Sequence, residues 1–143
     1  MDFILPLSVM VFLKIFLTFR LLLFAYQNIK EKKINLDQFQ LYEGDFPDKL
    51  RSARYQFQNM FELPVLFYVL CILQINFNNY TQLDIYLAWG FVIFRVLHFF
   101  VRLQNQRGLN IRTRTLTFIL SLIFLTVSWV VFFTRSLLGS NVY

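Results

Sequence analysis

The sequence predicts an all-α membrane protein, a bundle of four transmembrane helices in a single domain over residues 1–143. The 143 residues are 57% apolar and include 19 Phe, whereas only 15% are charged, against about 25% in soluble domains. Four apolar stretches each approach the roughly 20 residues that a helix needs to cross a bilayer. A soluble fold of this size cannot bury so much apolar surface, and disordered chains have low hydrophobicity.

The four apolar stretches cover residues 3–26, 55–75, 83–103 and 115–133. Lipid satisfies no backbone polar group and four segments cannot close a barrel, so we expect each stretch to be a helix. The first stretch lacks a preceding basic segment and a following small-residue cleavage site, and we interpret it as a retained helix rather than a signal peptide. Pro64 lies inside the second stretch, where we expect a kink and a carbonyl free for another partner.

The basic residues indicate how the chain is oriented in the membrane. The net charge is +6, with 14 Lys and Arg against 8 Asp and Glu. The positive-inside rule predicts that the first and third loops are cytoplasmic and that both termini lie outside. A simpler alternative is that these cations only set the topology and contact anionic headgroups. Ten basic residues lie in or beside the two loops: Lys30, Lys32, Lys33, Lys49, Arg51, Arg54, Arg102, Arg107, Arg112 and Arg114.

Two opposite charges lie at similar predicted depths inside the second and third stretches. Charges within a membrane are costly and therefore suggest a function. At 1.5 Å per residue, Glu62 lies about 12 Å beyond Arg54, and Arg95 lies about as far from its own end of the third stretch. The short loop between these stretches favours their being neighbours. The sequence therefore predicts a Glu62–Arg95 ion pair that joins the two helices, with or without a further role beside a ligand.

Polar side chains recur at helical spacing around this pair. Spacings of three and four residues place side chains on one face of a helix. Two such stripes on antiparallel helices would form a basic cleft that opens to the cytoplasm. Arginine binds carboxylates through two parallel hydrogen bonds, so the cleft suits a small ligand with several negative charges. The stripes are Arg51, Tyr55, Gln58 or Asn59, and Glu62, and Arg95, His98, Arg102 and Asn105.

Three other residues have simpler interpretations. For His98 we favour a packed, hydrogen-bonded histidine over a catalytic base. A lone histidine and a distant Cys71 make no ligand set, so no metal site is expected, and Cys71 is interpreted as core packing. Lys14 lies about 18 Å from the cytoplasmic end of its stretch. That depth is too great for easy snorkelling, so we expect Lys14 to face the protein interior or a subunit contact.

Two blocks of sequence carry a family resemblance. The segment QNMFELPVLFY, from Gln58 to Tyr68, follows Arg51 and Arg54. It resembles the second-helix signature of the MAPEG superfamily, membrane-associated proteins in eicosanoid and glutathione metabolism, and in particular its short bacterial members. The segment RVLH, which ends at His98 and is followed by a basic loop, is similar to the family's helix-three signature. The length, the four spans and the long basic first loop agree with that family.

The resemblance implies a homotrimer in the bacterial inner membrane, with glutathione as co-substrate. In characterised members glutathione binds between subunits, in the cytoplasmic half of the membrane. Arg95 corresponds to a helix-three arginine that pairs with Glu62. Lys30 or Lys32 is a looser match to a basic residue at the end of helix one. The glutathione-binding candidates carried over by motif are Asn59, Glu62, His98, Arg102, Arg112 and Lys30.

The chemistry implied by the resemblance is nucleophilic attack by the glutathione thiolate. Basic residues would bind the two glutathione carboxylates, and Glu62 would accept from the amine. Because a neighbouring guanidinium lowers the pKa of a thiol, Arg112 or Arg114 is the catalytic candidate at the start of the fourth helix. The second substrate would be a hydrophobic molecule supplied from the bilayer.

The sequence also departs from the family pattern at three positions. Several active eicosanoid members carry a tyrosine one turn into helix four, and the alignment places Leu116 there. Gln58 stands where some members have arginine, and Arg102 replaces a ligand-contacting tyrosine. The site is therefore not that of a prostaglandin or leukotriene synthase.

Two main functions follow from these observations. The first is a glutathione-dependent membrane transferase or peroxidase acting on hydrophobic electrophiles. The alternative is a non-catalytic MAPEG-like protein that binds lipid or a partner. A channel or transporter is disfavoured because no pair of broken helices is evident. Topology and the cleft account for the basic residues, so no nucleic-acid partner is expected.

Overall fold

The structure, a computed structural model, describes residues 2–35, 46–78, 80–104 and 111–139. Within these ranges the chain forms four helices and no strand. All four are long and apolar enough to cross a membrane, which confirms the predicted all-α bundle of spanning helices. The helices are α1 (Ile4–Lys30), α2 (Asp48–Phe77), α3 (Gln82–Gln104) and α4 (Ile111–Gly139).

The helices extend beyond the predicted apolar stretches, mainly at one end of the bundle. α1 and α3 finish at this end, and α2 and α4 begin there; we call it the basic end. α2 starts at Asp48 rather than near residue 55. Asp48 in the first turn of α2 and Lys30 in the last turn of α1 have the charges that the helix dipoles favour. Apolar content thus marks the membrane-embedded part of each helix and not its full length.

The turn between α2 and α3 closes the opposite end of the bundle. Asn78 ends α2 in the left-handed conformation, with φ of 48°, which asparagine tolerates better than most residues. Asp84 then accepts hydrogen bonds from the Thr81 backbone N–H at 2.7 Å and from the Thr81 hydroxyl at 2.8 Å. The Asp84 N–H donates to the Thr81 backbone carbonyl at 3.1 Å, and these contacts fix the start of α3, as an acidic residue at this position of a capping box does.

The four helices pack in two close pairs, α1 with α2 and α3 with α4. The α3–α4 contact is the more extensive and depends on Gly90. A Cβ atom at Gly90 would lie 2.3 Å from Cδ1 and Cε1 of Phe124. The Phe124 ring also stacks on Phe94, with centroids 5.5 Å apart. The absence of a side chain at Gly90 therefore lets the Phe124 ring lie directly against the α3 backbone.

Side chains join the two pairs of helices across α2 and α3. Phe67 of α2 stacks on Phe91 of α3, with ring centroids 4.5 Å apart. Both rings belong to the main apolar core, which all four helices share. A smaller apolar cluster at the basic end packs the start of α2 on α1 through Leu21, Ala25 and Leu50. The outer faces remain apolar and exposed, as lipid contact requires, for example at Phe12 and Phe19.

A buried polar network lies at the end opposite the basic end. Asp84 is 1% exposed and also accepts from Gln74 Nε2 at 3.2 Å and from Arg135 Nη1 at 2.7 Å. Arg135, two residues beyond the fourth predicted stretch, belongs to α4 and ties it to α3. Asp84 and Gln74 were not predicted from the sequence, although each is a polar residue within an apolar helix.

We expect Arg135→Met to lower the free energy of unfolding by about 3 kcal/mol, because it leaves a buried carboxylate without its counter-ion. Denaturant unfolding in detergent micelles measures this loss. In the double variant with Asp84→Asn the carboxylate charge is also gone, so part of the stability should return. A single variant as stable as the parent protein would contradict the role assigned to the Arg135–Asp84 pair.

We expect Gly90→Ala to destabilise the protein by about 1–3 kcal/mol, because the added methyl group overlaps the Phe124 ring. Helix propensity alone predicts the opposite sign, a gain of up to about 1 kcal/mol. The same unfolding assay therefore distinguishes the two effects. Introducing Phe124→Leu with Gly90→Ala should recover stability relative to Phe124→Leu alone; a further loss in that background would contradict the proposed overlap.

Candidate functional site

A polar cavity of about 520 Å³ lies between α2, α3 and α4 at the basic end of the bundle. Its wall combines two arginines, one carboxylate, two amides and three aromatic or imidazole rings. The lining residues are Tyr55, Gln58, Asn59, Glu62, His98, Arg102, Arg114, Thr115 and Phe118.

The cavity arises because polar stripes on neighbouring helices meet there. On α2, spacings of three and four residues place Tyr55, Gln58 or Asn59, and Glu62 along one side. His98 and Arg102, four residues apart on α3, contribute the second wall. The structure therefore brings together most of the two predicted stripes, and the first turns of α4 complete the cavity.

Two members of the predicted stripes are not on the cavity wall. Arg51 donates from Nη2 to the backbone carbonyl of Phe46 at 2.9 Å, near the start of α2. Arg95 lies one turn deeper than His98, away from the wall. Asn105 and Arg107, both expected near the cleft, lie outside the residues that the structure describes.

The Arg95 guanidinium is buried between α2 and α4, with 0% exposure. Its Nη1 donates to Asn59 Oδ1 at 3.0 Å. Its central carbon lies 5.7 Å from the Phe91 ring centroid and 5.3 Å from that of Phe118. Its Nε and Nη2 have no partner among the described residues. Arg95 therefore joins α3 to α2 and presents an unpaired edge in the interior.

The predicted Glu62–Arg95 ion pair is not formed between these described residues. Arg95 binds the neutral amide of Asn59 instead, one turn nearer the basic end. Glu62 lies on the open cavity wall with its side chain exposed. Residue counting fixes the depth of a side chain but not the direction in which it points. A neutral acceptor also avoids the desolvation of a second charge, and the arrangement leaves the Glu62 carboxylate available.

His98 is packed and hydrogen-bonded, as its sequence context suggested. Its Nδ1 lies 3.1 Å from the backbone carbonyl oxygen of Arg114 and 3.1 Å from Thr117 Oγ1. A carbonyl oxygen only accepts, so we assign the proton to Nδ1. The Thr117 hydroxyl can then donate to the Thr113 carbonyl at 3.1 Å. His98 Nε2 is left as a buried acceptor with no partner in the described part of the chain.

The structure distinguishes the two catalytic candidates at the start of α4. Arg114 lines the cavity together with the Thr115 hydroxyl, whereas Arg112 is exposed and is not on its wall. The aromatic residue that lines the cavity from α4 is Phe118, about two turns into the helix. Leu116, which the alignment placed at the position of the family's tyrosine, is 57% exposed on another face. Residue spacing alone did not show whether the α4 face with Arg114 and Phe118 or the face with Arg112 and Leu116 lines the cavity.

The loosely matched basic residues of α1 lie away from the cavity. Lys30 is the last residue of α1 and is exposed. Lys32 follows it in the left-handed conformation, with φ of 55°. Neither residue lines the cavity within this protomer.

Two further cations of α1 contact α2. Lys14 Nζ donates to the Phe57 backbone carbonyl at 3.1 Å, in keeping with the expectation that it faces protein. Arg20 Nη1 donates to Gln56 Oε1. Gln56 is buried, and its Nε2 donates to the Phe99 carbonyl of α3 at 3.2 Å. This bridge across three helices was not predicted from the sequence. The feature that indicated it was the amide of Gln56 within an apolar helix.

Four membrane-spanning helices with a polar cavity at their basic end define a small integral membrane protein with a ligand-sized site. The family model described as the MAPEG family matches residues 3–134, so the chain belongs to the MAPEG family. Membership relates it, at the level of the family, to glutathione and eicosanoid metabolism. Neither a curated protein nor a solved structure matches the chain significantly.

We expect Asn59→Leu to lower the free energy of unfolding by about 3 kcal/mol, because it removes the acceptor of a buried guanidinium. Glu62→Gln should change it by less than about 1 kcal/mol, since its carboxylate makes no hydrogen bond or ion pair within the described protomer. Both variants are compared by denaturant unfolding in detergent. An equal loss from Glu62→Gln would instead indicate that the Glu62–Arg95 pair forms in the assembled protein.

Proposed function

We propose that this protein is a glutathione-dependent membrane transferase or peroxidase acting on hydrophobic electrophiles. Glutathione would occupy the cavity between α2, α3 and α4, on the cytoplasmic side of the membrane. The observation that supports this most directly is the convergence of Arg102 and Arg114 with Asn59 and Glu62 around one cavity.

The charges of the cavity match the charges of glutathione. Arg102 can bind a carboxylate through two parallel hydrogen bonds, and Arg114 adds a second positive charge to the cavity. Glu62 is exposed to the cavity and is not paired with Arg95, so its carboxylate is available to the glutathione amine. The Gln58 amide adds a neutral donor and acceptor between them. This distribution suits a zwitterionic peptide better than a simple anion.

Arg114 is the favoured activating residue for the thiol. A guanidinium beside a thiol stabilises the thiolate, which is the reactive form. The Thr115 hydroxyl, on the same wall, can donate a second hydrogen bond to the sulfur. In transfer, the thiolate sulfur forms a bond to the electrophilic carbon of the substrate, and the leaving group departs with the bonding electrons. Phe118 provides an apolar surface for that substrate.

A homotrimer would place this cavity between subunits. Tyr55, which is 58% exposed, and the exposed Glu62 occupy a face of α2 that we place within the membrane. Polar groups at that depth are costly against lipid, so a neighbouring copy is a suitable cover for this face. In such an assembly Arg112 and Lys30, which are remote from the cavity of their own protomer, can serve that of a neighbour.

The alternative is a non-catalytic MAPEG protein that binds lipid or a partner. Phe118 favours this alternative, because the aromatic ring that faces the cavity from α4 lacks a hydroxyl group to interact with a thiol. The wide apolar outer faces of all four helices suit either function.

Glutathione binding is measured by calorimetry on the detergent-purified protein. We expect Arg114→Ala to weaken binding at least about tenfold, the cost of one charge-assisted hydrogen bond. Lys49→Ala, at an exposed position in the first turn of α2, is the matched control and should bind as the parent does. Arg135→Ala is unsuitable as a control because it breaks the buried pair with Asp84.

Turnover is then measured by conjugation of a chloronitroarene. Loss of turnover in Arg112→Ala with binding retained would assign Arg112 to a neighbouring subunit's cavity. Binding without conjugation or peroxidase activity in the parent protein would favour the non-catalytic alternative. No detectable heat at millimolar glutathione would overturn the proposal.

A further inference from the structure

We propose that Lys14 is part of a binding site for the headgroup of an anionic phospholipid at the contact between α1 and α2. The ligand would come from the membrane leaflet at the basic end of the bundle. Lys14 does not line the polar cavity, so this proposal is independent of glutathione binding.

Lys14 projects from α1 onto an aromatic surface of α2. Its Nζ donates to the Phe57 carbonyl oxygen at 3.1 Å and lies 3.4 Å from the centroid of the Phe57 ring. The Phe61 ring centroid is 5.0 Å away. The Lys14 side chain is only partly buried, so the ammonium is held against α2 without being enclosed by it.

The ammonium of Lys14 has spare hydrogen-bonding capacity and an uncompensated charge. An ammonium group has three N–H donors, and the structure gives one of them an acceptor, a backbone carbonyl. No acidic side chain in the described ranges forms an ion pair with it. Because a cation in an apolar environment needs a counter-charge or water, an anion from outside the protomer would complete this site.

Three arginines within the spanning helices differ from Lys14 in their acceptors. Each of them donates to a side-chain oxygen of another helix. Lys14 has a backbone acceptor and aromatic rings in place of such a partner. The pairs formed by the others are Arg20 with Gln56, Arg95 with Asn59 and Arg135 with Asp84.

The position of the ammonium favours a headgroup over a solute in the bilayer centre. Counting along α1 places the Lys14 backbone deep in the membrane, but its ammonium reaches the level of Phe57. Phe57 lies about 13 Å from the first residue of α2, close to the point where the second apolar stretch begins. Lysine side chains extend in this way toward the headgroup boundary.

Two neighbours on α2 make the site suitable for a whole phospholipid. Arg54, one turn nearer the basic end, places a second cation on the same side of α2 as Phe57. Phe61, which is 59% exposed, offers an apolar ring on the deeper side, where acyl chains would lie. Arg54 and the Lys14 ammonium thus lie at the level of a headgroup, and the Phe61 ring lies deeper, at the level of the acyl chains.

The test compares lipid retention by native mass spectrometry of the detergent-purified protein. Phosphatidylglycerol and phosphatidylcholine with identical acyl chains are added in turn, and the ratio of bound adducts is measured. We expect the parent protein to prefer phosphatidylglycerol and Lys14→Gln to lose about fivefold of that preference, the usual effect of one basic residue near an anionic surface. Lys14→Arg should retain it.

Lys49→Gln removes the same charge from an exposed position and is the matched control. An equal loss of preference in Lys49→Gln would show a net-charge effect and overturn the proposal. An unchanged preference in Lys14→Gln would overturn it too, and would leave Lys14 as a structural donor to Phe57. Oleate is tested as a third lipid. If Lys14 is needed for retention of oleate but not of phosphatidylglycerol, the ligand is a fatty-acid carboxylate, and the proposed phospholipid site is overturned.

Because Lys14→Gln alters a helix contact, lipid-dependent stabilisation gives a second readout. Phosphatidylglycerol should raise the thermal unfolding midpoint of the parent protein more than phosphatidylcholine does. In Lys14→Gln the two lipids should act equally, whatever the midpoint of the variant without added lipid. A phosphatidylglycerol effect of full size in this variant would contradict the proposed site.

Discussion

The requirement that a cation within the membrane find an acceptor organises this bundle. Apolar packing alone does not decide which helices pair in lipid, because lipid tails are as apolar as the side chains they meet. Here three arginine contacts link each helix to the next one along the chain. They connect α1 to α2 through Arg20–Gln56, α2 to α3 through Arg95–Asn59, and α3 to α4 through Arg135–Asp84. The apolar core then fills the space that these contacts define.

The choice of acceptor for Arg95 also shapes the cavity. Because Asn59 binds this guanidinium, Glu62 keeps its carboxylate in the cavity that Arg102 and Arg114 also line. The Arg114 carbonyl and Thr117 hold the His98 ring and set its tautomer. The same contacts that stabilise the bundle thus determine which polar atoms remain available to a ligand, and the proposed glutathione site depends on those atoms.

The sequence predicted the helices and most of the cavity wall for a clear physical reason. Apolar composition shows which residues cross the membrane, and three- and four-residue spacing shows which side chains share a face. Neither property shows how far one helix is rotated relative to another. The sequence therefore placed Glu62 at the depth of Arg95 but missed Asn59 as its acceptor, and it left Arg112 and Arg114 equivalent. Gln56 and Asp84 were missed because the arginines that bind them, Arg20 and Arg135, lie far away in sequence.

The two cationic features of the basic end differ in the ligand that each can accept. At the cavity, Arg102 and Arg114 face a carboxylate and amides, so a bound molecule must match opposite charges over a few ångströms. At the α1–α2 contact, the described neighbours of the Lys14 ammonium are a carbonyl and aromatic rings, so one anionic group with an apolar chain would be sufficient. The cavity would select a ligand by its pattern of charges. The Lys14 contact would select a ligand by its negative charge and by its depth in the membrane. The two proposed ligands, a water-soluble peptide and a membrane lipid, would therefore occupy separate places on one small bundle and would not compete.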